Sequence, residues 1–242
     1  MSITGMSYTR NLKQAREKIM QAKGLLFDMN NTLLNIDKID WISYKVPFEE
    51  KFNVSISYED YSKFAGSRRA LIIKELLAYK NIAEDKENIS ETLVRELANR
   101  GREIKKQYIF SKDLASNLVL LPGVKEFLIW AKSQNKLMAV VTSTTKKFTM
   151  QELNVAGVIQ FFDIVLTAEQ FKFGKPHPYP YLLAMEKLGL TSEQAVAFED
   201  SNPGITSAKA SGAFTIGVLT PGLNNQAVKK ADAVITDYRQ IM

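Results

Sequence analysis

Cysteine is absent from the 242 residues, and histidine occurs once, at His177. The first absence excludes disulfides, thiolate nucleophiles and cysteine-ligated metals. The second excludes a multi-histidine zinc site, and a Ser-His-Asp triad would have to rest on His177 alone. No apolar run is long enough to span a membrane. The N-terminus has no signal-peptide core, because Asn11 to Lys23 is charged throughout. The lack of cysteine fits a cytoplasmic protein. No basic block carries interleaved aromatics, so neither nucleic acid nor a membrane is an expected partner. The net charge of +6 is spread along the chain and suits an acidic ligand such as a phosphate. Internal repeats and low-complexity tracts are also missing.

What is present is an ordinary globular composition, 45% hydrophobic and 24% charged, in a length that suits one large domain or a core with an insertion. Met1–Met6 reads as a leader. Leu12, Ala15, Ile19 and Met20 then form an apolar stripe at helical spacing, so residues 1–23 read as an N-terminal amphipathic helical extension. Short apolar runs follow at Gly24–Phe27, Leu137–Val141, Ile164–Leu166, Ala195–Phe198, Thr215–Val218 and Ala233–Ile235. Helical patterns separate most of them; in one, Val124, Phe127, Leu128 and Ala131 share a face. Such alternation predicts an α/β fold, a Rossmann-like parallel sheet with helices on both faces. The core comprises residues 24–34 and 120–242. Between them, residues 35–119 lack the strand alternation, and Ala70–Tyr79 and Ser90–Tyr108 read as helices, with Ser90 as an N-cap. This segment is expected to be an inserted all-helical cap domain. Leu121-Pro122-Gly123 marks the return to the core.

In open parallel sheets, ligands bind beyond the carboxyl ends of the strands. Four such places carry polar residues here. Asp28 ends the first strand in GLLFDMNNTLLN, with Asn30 and Thr32 close behind. Thr142, Ser143 and Thr144 follow the run Leu137–Val141 and could cradle a phosphate with hydroxyls and N–H groups. Lys175 sits in FGKPHPYPY, where its ammonium could neutralise phosphoryl oxygens. Glu199 and Asp200 close the run Ala195–Phe198, and Asp28 with Asp200 would suit a hard cation. Each segment alone has a structural reading, as a helix cap or a loop. The four together, in this order, have no comparable structural reading.

These segments resemble the four motifs of the haloacid dehalogenase-like superfamily. The D-x-D-x-T/V motif corresponds to Asp28-Met29-Asn30-Asn31-Thr32. The strand-end Ser/Thr corresponds to Thr142, the lysine of G-K-P to Lys175, and E-D-S-x-x-G-I to Glu199-Asp200-Ser201-Asn202-Pro203-Gly204-Ile205. A helical C1-type cap after the first motif is similar to the subgroup of β-phosphoglucomutase and phosphoglycolate phosphatase. Gly66 and Arg69 keep the G-x-x-R spacing of that subgroup's specificity loop. Trp41, Tyr44 and Phe64 are further candidates for substrate selection.

The resemblance implies a Mg2+-dependent phosphatase for a small phosphorylated metabolite such as a sugar phosphate. Asp28 would form an aspartyl-phosphate. Mg2+ would be held by Asp28, the main-chain carbonyl of Asn30 and Asp200, with Glu199 close by. Thr142, Ser143, Thr144 and Lys175 would hold the phosphoryl group, and the cap, through Gly66 and Arg69, would choose the substrate. The second Asp of the family's first motif protonates the leaving group and then activates water. Asn30 stands in that place, and an amide does neither. It is either a substitution made to trap a ligand, a natural feature of a slow enzyme or a phosphate-binding pseudoenzyme, or a sign of chemistry that needs no acid, as in phosphonatases. A mutase is less well matched. The span Asn35–Lys45 has no hinge histidine, and Ala65 replaces the lysine before the cap glycine.

Overall fold

Runs of consecutive apolar residues, rather than alternating ones, make strands that are buried on both faces. The computed structural model describes residues 9–64, 69–83, 88–109, 118–220 and 226–242. In chain order its first elements are α1 (Leu12–Gln21), β1 (Gly24–Phe27) and β2 (Leu34–Asn35). Four helices follow: α2 (Asp37–Phe52), α3 (Tyr58–Ser62), α4 (Arg69–Tyr79) and α5 (Glu91–Ile109). Then come β3 (Val119–Leu120), α6 (Val124–Ser133), β4 (Leu137–Val141), α7 (Lys146–Val155) and β5 (Ile164–Leu166). The chain ends with α8 (Tyr179–Leu188), β6 (Ala195–Glu199), α9 (Asn202–Ala210), β7 (Phe214–Val218) and β8 (Ala233–Ile235). Among the described residues, one unit holds those up to Asn35 and from Leu118 onward. The other holds those from Ile36 to Asn117.

The core unit is a six-stranded sheet in the order β5-β4-β1-β6-β7-β8. Every neighbouring pair is parallel. β1 lies between β4 and β6, where the strand order reverses, so its carboxyl end opens into the crevice such sheets use for ligands. Leu25, Leu26, Phe27, Val140 and Phe198 are wholly buried. Phe27 stacks on Phe198 with ring centroids 4.7 Å apart, and Phe127 and Tyr238 pack around the pair. This aromatic cluster sits directly behind Asp28 and Glu199 in sequence, so it anchors the strand ends from which both project.

Helix α1 belongs to the core unit. Arg10 bridges to Val234 through N–H···O bonds of 3.2 and 3.0 Å, and Ala15 and Ile19 are fully buried. The Lys136 ammonium closes the helix end, donating to the carbonyls of Met20 and Ala22. Met20, expected on the apolar face, is instead exposed. Buried Ala15, Ile19 and Ala22 follow the three- and four-residue spacing of one face, and Met20 is turned about 100° from Ile19, off that face. The leader Met1–Met6 lies outside the described residues. A two-stranded antiparallel ribbon, β2 with β3, flanks the insertion. Pairs of residues carry too little pattern to be legible in sequence.

The regular elements among the second unit's described residues are all helices, α2 to α5. Tyr44, Phe48, Ile73, Leu76 and Leu97 form its apolar core. The sequence pattern singles out α4 and α5 but not α2, whose interior holds Pro47. Proline costs a helix interior a hydrogen bond; packing of Tyr44 and Phe48 outweighs it.

Candidate active site

The loop after β1 turns sharply. Leu33 N–H and Leu34 N–H both donate to the Met29 carbonyl, and Asn31 N–H donates to the Leu34 carbonyl. Asn31 occupies the left-handed region at φ 60°, which asparagine tolerates better than most residues. This turn leaves Asp28 and Asn30 beside the strand ends of β4 and β6. Thr32 is fully buried, and its hydroxyl lies 3.4 Å from Asp200 Oδ1.

Lys175 reaches into this space from the loop after β5. Its ammonium donates to Asp28 Oδ1 at 2.7 Å, to Glu199 Oε1 at 2.6 Å and to the Val141 carbonyl at 2.8 Å. All three of its protons are thereby committed. Burial alone would lower this ammonium's pKa, but the carboxylates of Asp28 and Glu199 outweigh burial and hold it raised. Breaking such a buried pair by removing one partner costs about 3–5 kcal/mol.

Asp28, Glu199 and Asp200 offer carboxylate oxygens that all lie within 4.8 Å of one another, so the three could hold a metal ion. Burial, opposed by Lys175 and reinforced by Glu199, raises the Asp28 carboxyl from 3.8 to about 7. Burial, followed by the charges of Asp28 and Glu199, pushes Asp200 well above the usual carboxylate range. Glu199 is already saturated. Its Oε1 accepts from Lys175 and from the Tyr181 hydroxyl at 2.9 Å. Its Oε2 accepts from Asp200 N–H, Ser201 N–H and the Ser201 hydroxyl. The α9 helix starts against this carboxylate, and a Cβ added at Gly204 would overlap it. Only glycine permits that approach.

Thr142 is buried at the end of β4, and its hydroxyl accepts from Thr144 N–H at 3.1 Å. Ser143 beside it is exposed. The Thr144 hydroxyl accepts from Asn30 Nδ2 at 3.0 Å, while Asn30 Oδ1 is buried without a hydrogen-bond partner. The core thus brings together Asp28, Asn30, Thr142, Ser143, Thr144, Lys175, Glu199 and Asp200. Arg69 lies in the other unit. There its guanidinium donates to Ser43 Oγ at 3.1 Å and sits 4.5 Å from the Tyr44 ring. Lys105, which the sequence does not single out, joins Arg69 on Asp40, at 2.7 Å. Gly66 lies outside the described residues. His177 is exposed, and its Nδ1 accepts from Tyr179 N–H, as a plain loop histidine would.

Three supporting residues have no sequence signal. Tyr181 holds Glu199. Tyr238 donates to the Thr32 carbonyl at 3.1 Å, and Thr220 donates to the Asn31 carbonyl at 2.8 Å. Tyr181 ends the same FGKPHPYPY stretch as Lys175, but Tyr238 and Thr220 reach the site from distant segments, and their roles depend on the folded chain.

Comparison with known proteins adds to this geometry. The sequence model of the haloacid dehalogenase-like hydrolases matches residues 25–218. The chain is 28% identical over 213 residues to the phosphorylated carbohydrates phosphatase of Thermotoga maritima, covering 88% of this chain and 92% of that one. Among solved structures, a predicted phosphoglycolate phosphatase from Haemophilus somnus matches with TM-score 0.73 and 23% identity, over 91% of this chain and 96% of that one. CbbY from Rhodobacter sphaeroides, solved in complex with phosphate, matches with TM-score 0.65 and 21% identity, over 90% and 95%. At such identities the two structures speak for the fold alone.

Proposed function

This chain belongs to the haloacid dehalogenase-like hydrolase family, and on that premise we propose that it is a Mg2+-dependent phosphatase of small phosphorylated metabolites such as sugar phosphates. The observation that carries the reading is the Lys175 ammonium bridging Asp28 and Glu199, with Asp200 alongside. That arrangement orients one carboxylate as a nucleophile and keeps a cation beside it. The phosphatase name of the Thermotoga maritima relative supports the substrate class.

The donor set fits Mg2+. It consists of hard oxygens, and Asp28 and Asp200 both carry raised carboxyls that a cation would relieve. Asp28, Asp200 and the main-chain carbonyl of Asn30 would hold the ion. Glu199, with its oxygens occupied, would act by holding Lys175. When bound, Mg2+ offsets the repulsion between the carboxylates and an anionic phosphate. Asp28 attacks phosphorus and becomes an aspartyl-phosphate. Lys175, fixed at three points, keeps positive charge beside the transferring group. Thr142, Ser143 and Thr144 bind phosphoryl oxygens at the start of α7. The helical unit selects the substrate, with Arg69 and Gly66 as its candidate contacts.

Asn30 favours a second reading, a protein that binds a phosphorylated ligand without turnover. One experiment separates the two. The protein is incubated with Mg2+ and a panel of sugar phosphates, phosphoglycolate and acetyl phosphate. Released phosphate is measured, and the peptide containing Asp28 is weighed for an added phosphoryl group. The phosphatase reading expects both signals, and expects Asp28→Asn to abolish them. Ligand binding with neither signal would establish the second reading instead.

A further inference from the structure

Asn30 also bears on which phosphates can react. We infer that this site transfers a phosphoryl group best from donors whose leaving group departs without a proton, namely acyl phosphates and phosphoanhydrides, and poorly from alkyl phosphoesters. The inference rests on the phosphatase reading and narrows it, because most sugar phosphates are alkyl esters and would be slow substrates.

An alkoxide leaving group needs a proton as its bond to phosphorus breaks, and a positioned acid typically supplies about 10²- to 10⁴-fold in rate. Residue 30 cannot be that acid. Its Nδ2 donates to Thr144 Oγ1 at 3.0 Å, and Oδ1 only accepts. Of the other donors among the described residues of the core unit, the alcohols of Thr142 and Thr144 are no more acidic than the alcohol they would protonate, and Asp200, as a Mg2+ ligand, would be ionised. Lys175 spends its three on Asp28, Glu199 and Val141. The Tyr181 hydroxyl is spent on Glu199, and the Thr32 hydroxyl faces Asp200. The sole histidine is exposed on its loop, with Nδ1 already accepting from Tyr179 N–H.

A carboxylate or phosphate leaving group removes the need. In the first step an Asp28 oxygen bonds to phosphorus and the bond from phosphorus to the acyl or phosphate oxygen breaks. The electron pair leaves on that oxygen, and no proton moves. In the second step a water oxygen bonds to phosphorus, the bond to Asp28 breaks, and Asp28 recovers its carboxylate. The water's proton passes to a phosphoryl oxygen of the departing phosphate. Without a carboxylate at position 30 to draw off that proton, the second step is slow. The phosphoenzyme should therefore accumulate.

The test is a leaving-group series in Mg2+: acetyl phosphate, 4-nitrophenyl phosphate, phenyl phosphate and an alkyl phosphate. The ratio kcat/KM reports the first step, and rapid-quench mixing reports the burst. Expected for the parent is a burst near one equivalent with acetyl phosphate, and a fall in kcat/KM of about 10²-fold or more from acetyl to alkyl phosphate. Asn30→Asp should flatten that fall and remove the burst. The parent series decides the matter even if the variant does not fold. A parent that handles alkyl and acetyl phosphates within a few-fold overturns the inference and leaves the phosphatase reading standing. Turnover of nothing by either protein, both folded, overturns both.

Discussion

Replacing Glu199 by glutamine changes one atom type and no volume, yet the structure predicts a large loss of stability. Glu199 is wholly buried. Removing its charge has two opposed Coulomb effects. At an effective dielectric of about 20, Lys175 at 2.6 Å attracts it by roughly 6 kcal/mol, and Asp28 and Asp200, within 4.8 Å, each repel it by roughly 3 kcal/mol or more. Protonation of the raised Asp28 and Asp200 carboxyls weakens that repulsion in the metal-free protein, so the charges do not favour the amide, and the hydrogen bonds set the smallest loss expected. Oε1 accepts from Lys175 and Tyr181, and Oε2 accepts from two backbone N–H groups and a hydroxyl. An amide has one accepting end. If its oxygen faces Lys175, the N–H groups of Asp200 and Ser201 meet an NH2. If the amide is turned, Lys175 and Tyr181 do. Either way two buried donors are stranded, at about 1–3 kcal/mol each. Glu199→Gln should therefore lose about 2–6 kcal/mol, which for a chain of this length lowers Tm by roughly 5–20 °C. The assay is urea and thermal unfolding of the metal-free protein, where Mg2+ cannot compensate. Glu96→Gln is the control. That residue is exposed and pairs with Lys51 at 2.9 Å, so it should shift stability by less than about 1 kcal/mol. If Glu199→Gln unfolds within about 1 kcal/mol of the parent, Glu199 is not the acceptor hub described here.

Gly204→Ala tests the same hub from the helix side. The new Cβ overlaps the Glu199 carboxylate, so a loss of about 1–3 kcal/mol is expected on unfolding, and an unchanged Tm would contradict the close approach. The raised Asp28 carboxyl makes stability pH-dependent in the metal-free protein. Its protonated form is favoured in the fold, so the contribution present below the ordinary 3.8 is lost as pH rises through about 7. Mg2+ requires the ionised form, so its Tm gain should be small near pH 5.5 and larger near pH 8. Equal gains at both pH values, read by thermal unfolding with and without MgCl2, would sink the argument.

Much of the core was legible in sequence because its signals are local. Consecutive apolar residues such as Leu25, Leu26 and Phe27 can only be buried on both sides, and runs of that kind separated by helical patterns specify a parallel sheet. The order of Asp28, Thr142, Lys175 and Glu199-Asp200 along the chain was enough to indicate the hydrolase family. The two-residue ribbon β2–β3 and the proline-containing helix α2 were not legible, since each is stabilised by what it packs against rather than by its own pattern. The same holds for the exposed Met20. Its helical phase lies off the face that Ala15, Ile19 and Ala22 bury, which only the docked helix reveals.

By itself, then, the amino-acid sequence determined the fold, the family and the presence of an amide at position 30. Those follow from side-chain chemistry and spacing along one strand or loop. Only the tertiary structure decided that Glu199 is saturated by Lys175, Tyr181 and the start of α9, that Tyr238 and Thr220 brace the Asp28 loop, and that Asn30 is tied to Thr144. Those contacts join segments far apart in the chain, and a hydrogen bond depends on where two groups meet in space.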